Sequence, residues 1–231
     1  MSSHLIGIFS DVHCNIDALE KMFENEPNVE TWICAGDSVG LFPCINETLD
    51  LLRKNNLIAI QGDHEESILS GKELKHSFSG NQSLRIQEKI INEENLDFLS
   101  SLPMERIVSI GGSKFLILHD LNRKSGSKYL FDFEKISSLM SADIEFVIFG
   151  NTHIPTFYKG RTKTFINPGS LGFPIQVNGA PSYALLDISN QSLLFKQMEV
   201  DQERVLRRLR DDNYNKKFID YLENGYAWIS Q

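Results

Sequence analysis

Five stretches of the chain end an apolar run with residues of types that can hold metal ions. Residues 5–9 lead into Asp11 and His13, and residues 31–36 into Asp37. Residues 57–62 lead into Asp63, His64 and Glu65, residues 114–118 into His119 and Asp120, and residues 144–150 into Asn151 and His153. Imidazoles and carboxylates offered together suit divalent first-row metals. A carboxylate such as Asp37 can bridge two ions about 3.5–4 Å apart, the spacing that serves phosphoryl chemistry. Four of the six histidines fall in these stretches, and only His4 and His76 lie outside them. Each signal alone is weak. A Gly-Asp pair is ordinarily a turn that caps the next helix, a lone His119 reads as a core-edge histidine, and G-N-T-H-I-P reads as a loop punctuated by Gly and Pro. Their repetition at five successive strand ends is what gives them weight, because ligands of open α/β sheets gather just beyond the carboxyl ends of strands.

The elements that must position these residues alternate in character. Residues 5–9, 31–36 and 57–62 read as strands, and residues 16–26 and 46–55 as helices, with Asn46 the expected N-cap of the second. Strand–helix–strand repetition implies right-handed crossovers and parallel pairing. Residues 77–103 are polar and helical, stopped by Pro103; they read either as a cover over the cleft or as a packed helix pair. Beyond them hairpin patterns dominate: 105–110 and 114–120 around Gly111-Gly112, then 144–150, 156–166, 182–188 and 193–200, with a helix at 132–140. Residues 200–231 read as a C-terminal helix and tail. There is no repeat and no linker rich in Pro, Gly or Ser, so residues 1–231 are expected to form one domain of the α/β class.

Composition narrows the classes of function. The formal charge of −8 disfavours a general nucleic-acid surface, which needs clustered Lys and Arg. The one basic cluster, R-V-L-R-R-L-R at 204–210, reads as a solvated helix face. Cys14, Cys34 and Cys44 form no close C-x-x-C pair, so neither a disulfide framework nor a cysteine zinc site is expected. No stretch approaches the roughly 20 apolar residues that cross a bilayer, and the N-terminus lacks a secretory layout. A cytoplasmic protein without membrane partners is the expectation.

Taken in order, Asp11-x-His13, Gly36-Asp37, Gly62-Asp63-His64-Glu65, His119 and Gly150-Asn151-Thr152-His153 resemble the calcineurin-like metallophosphoesterases. G-D-S-V-G-L-F-P (36–43) and N-P-G-S-L-G-F-P (167–174) resemble their small bacterial and archaeal phosphodiesterase-like branch. The resemblance implies a four-layer αββα sandwich of two mixed β-sheets flanked by helices, with a dinuclear site between the sheet edges. Carried over by position, one metal would take Asp11, His13, Asp37 and His153. The other would share Asp37 and add Asp63, His119 and Asn151. His64 would stand near the leaving group as a proton donor, and Asn167, Gly169 and Ser170 would face the substrate's phosphate. Three departures stand out: Asp63 where the family has Asn, Asn151 where it has His, and Ile175 where the branch often has Arg. The first two make the second shell richer in oxygen, which favours Mn²⁺ or Fe²⁺, with Mg²⁺ also suited, over Zn²⁺. The implied function is hydrolysis of a small phosphate ester or nucleotide, by a phosphodiesterase or phosphatase, through a metal-activated hydroxide. The alternatives are an interaction scaffold with a weakened site, as in the retromer subunit of this fold, or a nucleotide-binding regulator.

Overall fold

The computed structural model describes residues 5–75, 77–122, 131–175 and 179–223. The first half runs β1 (Leu5–Phe9), α1 (Ile16–Asn25), β2 (Thr31–Cys34), α2 (Ile45–Lys54), β3 (Ile58–Ala59) and α3 (Asp63–Ser70). Helices α4 (Phe78–Ile90) and α5 (Glu93–Ser101) lead to the hairpin β4 (Glu105–Ile110) and β5 (Ser113–Leu118). Then come α6 (Phe133–Ser138), β6 (Phe146–Ile148), β7 (Thr156–Lys159) and β8 (Thr164–Asn167). The chain closes with β9 (Ser182–Asp187), β10 (Ser192–Gln197), α7 (Gln202–Asp211) and α8 (Lys216–Glu223).

Two mixed five-stranded sheets result, ordered β10-β9-β1-β2-β3 and β4-β5-β6-β8-β7. The β1–β2 and β2–β3 pairs are parallel, as the strand–helix alternation requires, while β9 closes antiparallel on β1. Ile6, Ile8, Ile33, Phe115, Ile117, Phe146, Ile148 and Ile166 meet between the sheets. The opposite face of the first sheet packs on the helices through Phe9, Leu19, Met22, Leu49, Leu209 and Phe218. The short α6 covers the second sheet through Ile136, against Val147, Phe149 and Phe165. Each fully buried aliphatic or aromatic side chain contributes roughly 1.5–3 kcal/mol, and the three clusters make the four layers αββα. No described helix is long and apolar enough to cross a membrane.

Two local expectations are corrected, and the stretch 77–103 is the helix pair. Helix α2 begins at Ile45, with Cys44 in left-handed conformation (φ 75°) at its N-cap. Asn46 therefore lies inside the helix, where its side chain donates to Ile90 O and accepts from Asn92 N, fastening α2 to the α4–α5 junction. The third strand is short, because its backbone pairs with β2 only at Ile58 and Ala59. The polar run 77–103 divides at Ile91, and Asn92 caps α5 by accepting from Asn95 N. The basic cluster of α7 is salted by carboxylates: Arg204 and Arg208 meet Asp17, and Arg210 meets Glu203 and Glu223.

Candidate metal centre

The strand ends of both sheets converge on one crevice. Asp11, His13, Asp37, Asn151 and His153 all have positive φ, between 49° and 65°. Asp, Asn and His enter this left-handed region more often than other non-glycine residues, yet at a cost that surrounding bonds must offset. The offsetting bonds are present. Asp11 N donates to Gly36 O, His13 N to Asp37 O, and Gly172 N to Asp11 O, lacing the loops after β1, β2 and β8 together.

The imidazoles are held in one orientation each. His13 Nδ1 lies 3.2 Å from Val39 O, His119 Nδ1 2.7 Å from Ala35 O, and His153 Nδ1 2.5 Å from Phe173 O. A carbonyl can only accept, so Nδ1 carries a proton and Nε2 is left facing the crevice, where it offers a lone pair once its own proton is displaced. All three Nε2 atoms aim at one another and at carboxylates. His13 Nε2 is 3.2 Å from His153 Nε2, and His153 Nε2 is 3.3 Å from Asp11 Oδ1. His119 Nε2 is 3.2 Å from Asp37 Oδ2, 3.5 Å from Asp63 Oδ1 and 3.9 Å from Asp11 Oδ1. Asp11 Oδ2 and His119 Nε2 are buried without a hydrogen-bond partner. Acceptors facing acceptors out of water repel, and a cation among them reverses the sign. The donor set therefore fits divalent metal.

Three overlapping groups among the described residues have ligand atoms mutually within 4.8 Å: Asp11, His13 and His153; His13, Asp37 and His64; and Asp11, Asp37 and His119. Asp37 links the last two, 3.9 Å from His13 Nε2 as well as 3.2 Å from His119. Asp63 is half-exposed on the outer side, and Asn151 lines the same outer pocket while its backbone N–H donates to Asp11 Oδ1. Protonation follows this crowding. Burial and neighbouring Asp63 push the Asp37 carboxyl up to about 7. Burial opposes ionisation of Asp11 too, but His153 and the other imidazoles outweigh it and hold it at about 2. His119 and His153 are raised against burial by Asp37 and Asp11 respectively, so protons do the neutralising that a metal ion would take over.

His64 sits at the first turn of α3, its backbone N–H donating to Asp37 Oδ1 and its ring 4.6 Å from that of His13. Burial holds it below the ordinary histidine range. Gly40 (φ 90°) makes room for it, since a Cβ there would overlap His64 Nδ1. Gly40→Ala is therefore expected to displace the imidazole while metal content stays constant. The histidine NMR signals and the bound metal of the variant, compared with those of the parent, check this.

The side chains of the N-P-G-S loop are bonded into the scaffold. Asn167 Nδ2 donates to Gly150 O and Thr152 Oγ1, its Oδ1 accepts from Gly169 N, and Ser170 Oγ donates to Asp11 O. Asn167 and Ser170 have no exposed surface. Two supports escaped sequence reasoning as such. Glu65, fully buried, accepts from the backbone N–H groups of Asp37, Ser38, Val39 and Gly62. Gln87 of α4 accepts from Gly40 N and donates to Phe42 O, and Ser83 accepts from Leu41 N, so α4 props the 37–43 loop from behind. Glu65 was visible as the last residue of G-D-H-E. Nothing in the sequence marked Gln87.

Two sheets flanked by helices, with imidazoles and carboxylates gathered at their strand ends, define the architecture of the metal-dependent phosphoesterases. The chain belongs to the calcineurin-like phosphoesterase superfamily, whose domain matches residues 5–191. It is 32% identical over 187 residues to a phosphodiesterase of Methanocaldococcus jannaschii, covering 79% of this chain and 92% of that protein. It is 29% identical over 230 residues to an uncharacterized protein of the same archaeon, covering 90% and 93%. A metallophosphoesterase crystal structure from Sphaerobacter thermophilus superposes with a TM-score of 0.80 at 21% identity, covering 97% of this chain and all of that one.

Proposed function

We propose that the protein is a metal-dependent phosphodiesterase or phosphatase that hydrolyses a small phosphate ester at a dinuclear site. One observation carries this reading: three imidazole Nε2 atoms, each fixed by a carbonyl at the opposite ring nitrogen, point into a nest of buried carboxylates. Asp11, His13, Asp37 and His153 would hold one ion, and Asp37, Asp63, His119 and Asn151 the other. Divalent ions bound there supply positive charge for the phosphoryl oxygens and acidify water to a nucleophile near neutral pH.

The chain's own groups do the rest. Asp37, held by Glu65 through its backbone, keeps the two ligand sets in register. The His64 imidazole, neutral in the resting protein because it is buried, gains basicity once an anionic substrate lies beside it. It then carries the proton that the departing oxygen needs. The crevice lies in an acidic chain, so attraction for an anionic ester comes from the centre itself.

The chemistry is tested by assaying bis(p-nitrophenyl) phosphate with Mn²⁺, Fe²⁺, Mg²⁺ and Zn²⁺ in turn. Turnover with at least one metal supports the reading; metal binding without turnover of any ester supports a scaffold. The oxygen-rich second ligand set makes a separate prediction. Asp63→Asn combined with Asn151→His is expected to move the activity optimum from Mn²⁺ toward Zn²⁺. An unchanged metal profile would contradict the assignment of these two residues.

A further inference from the structure

We propose that Phe218 of α8 is a positioning residue for the first ion, a wedge that sets the spacing of His13 and His153; this rests on the metal-centre reading above. The two imidazoles come from loops far apart in the chain, yet their Nε2 atoms stand 3.2 Å apart. Each loop is tied down at one aromatic residue. Phe42 N donates to His13 O at 3.0 Å, and Phe173 O accepts from His153 Nδ1. Phe218 packs on both of these anchors. Its ring centroid lies 5.8 Å from that of Phe42 and 5.9 Å from that of Phe173, and the two anchors are 6.2 Å apart. The three rings close a triangle. From it the Phe173 ring meets His13 and His153 edge-to-face, at 86° and 90°.

The wedge is held from outside the strand ends that carry the ligands. Phe218 lies on the buried face of α8 with Ile219 and Leu222. Gln202 of α7 donates to Leu222 O at 2.6 Å, and Arg210 of α7 pairs with Glu223. Helix α7 is in turn tied to α1, where Arg204 meets Asp17. Burial alone would accept any apolar residue at 218. A flat ring adds simultaneous contact with two other rings, which fixes their separation.

Magnitudes favour a specific effect at the first ion. Removing the Phe218 ring leaves a cavity into which its neighbours relax only in part. Packing absorbs such a shift, but ligand-to-metal distances hold to within about 0.2 Å. His119 answers to a different support, since its Nδ1 is held by Ala35 O after β2. Loss of the wedge should therefore loosen the ion held by His13 and His153 and spare the ion held by His119.

The test follows the imidazole NMR signals of full-length, chelator-stripped protein as Zn²⁺, which is diamagnetic, is added. In Phe218→Ala, the Zn²⁺ needed to shift His13 and His153 should rise about tenfold or more, as when other residues that orient metal ligands are lost, with His119 changed less than about threefold. Phe218→Leu, which keeps the site apolar and guards against a misfolded alanine variant, should show the same split in smaller degree. Leu209→Ala removes a buried side chain from the same hydrophobic cluster but no ring of the triangle, and should move the three histidines together or leave them unchanged. In the metal-free protein, solvent exchange of the His153 Nδ1 proton should quicken in Phe218→Ala and not in Leu209→Ala. Equal loss at all three histidines in the Phe218 variants, or the same split in Leu209→Ala, would make Phe218 an ordinary core residue and overturn the inference. If no histidine of the parent responds to Zn²⁺, the metal-centre reading fails, and unchanged exchange at His153 in Phe218→Ala would then separately remove the wedge.

Discussion

Asp37→Asn will lower phosphodiester cleavage by on the order of 10²–10³-fold while leaving the fold in place. Asparagine accepts the left-handed backbone (φ 54°) as readily as aspartate. Its amide oxygen still accepts from His64 N, and the Asp37 N–H bond to Glu65 does not involve the side chain. What disappears is the charge at Oδ2, which faces His119 at 3.2 Å and His13 at 3.9 Å. Burial and Asp63 already make that charge costly, raising the carboxyl to about 7 in the absence of a cation. The substitution should therefore raise, or leave unchanged, the melting temperature of metal-free protein while abolishing the stabilisation that added Mn²⁺ produces. Thermal melts with and without Mn²⁺, beside the ester assay, read both effects. Activity within about fivefold of the parent would remove Asp37 from its place between the ions.

Glu65→Ala acts on the same loop through stability. The carboxylate accepts from four backbone N–H groups at 2.6–3.2 Å, and alanine would leave all four buried donors without a partner. At roughly 1–3 kcal/mol for each orphaned group, relaxation recovering part of it, the loss should be at least about 3 kcal/mol. For a chain of this length that is a drop in melting temperature of about 6–12 °C. The ligands at 11, 13 and 37 would lose their common support, so metal affinity should fall with stability. A shift of less than about 2 °C would show that water replaces the carboxylate at little cost.

The parts of this protein legible in its sequence are those where chemistry and periodicity coincide. The run 5–9 ends where the side-chain pattern changes, and Asp11 and His13 stand at that boundary because the strand's last carbonyls and amides are still fixed by β2 and β9. The same logic exposed Asp37, His119 and His153. Legibility failed where a residue's partner lies far along the chain. Glu65 reaches residues 37–39 and Gln87 reaches 40–42, and no local pattern announces a polar side chain that folds inward to collect distant amides. It also failed where two local signals competed. Asn46 looks like an N-cap, but Cys44 takes the left-handed turn two residues earlier and the helix begins before the asparagine. In the N-P-G-S loop, too, the side chains of Asn167 and Ser170 reach distant carbonyls, those of Gly150 and Asp11, which no local pattern announces.

The imidazoles of His13, His119 and His153 and the carboxylates around them are proposed to be a cation site. Titration calorimetry of chelator-stripped protein with Mn²⁺, paired with elemental analysis after gel filtration, tests it most directly. Two bound ions per chain are expected, with proton release on binding as His119 and His153 surrender theirs, and a rise in melting temperature that grows with free Mn²⁺. No heat of binding, no retained metal and an unchanged melting temperature would contradict it.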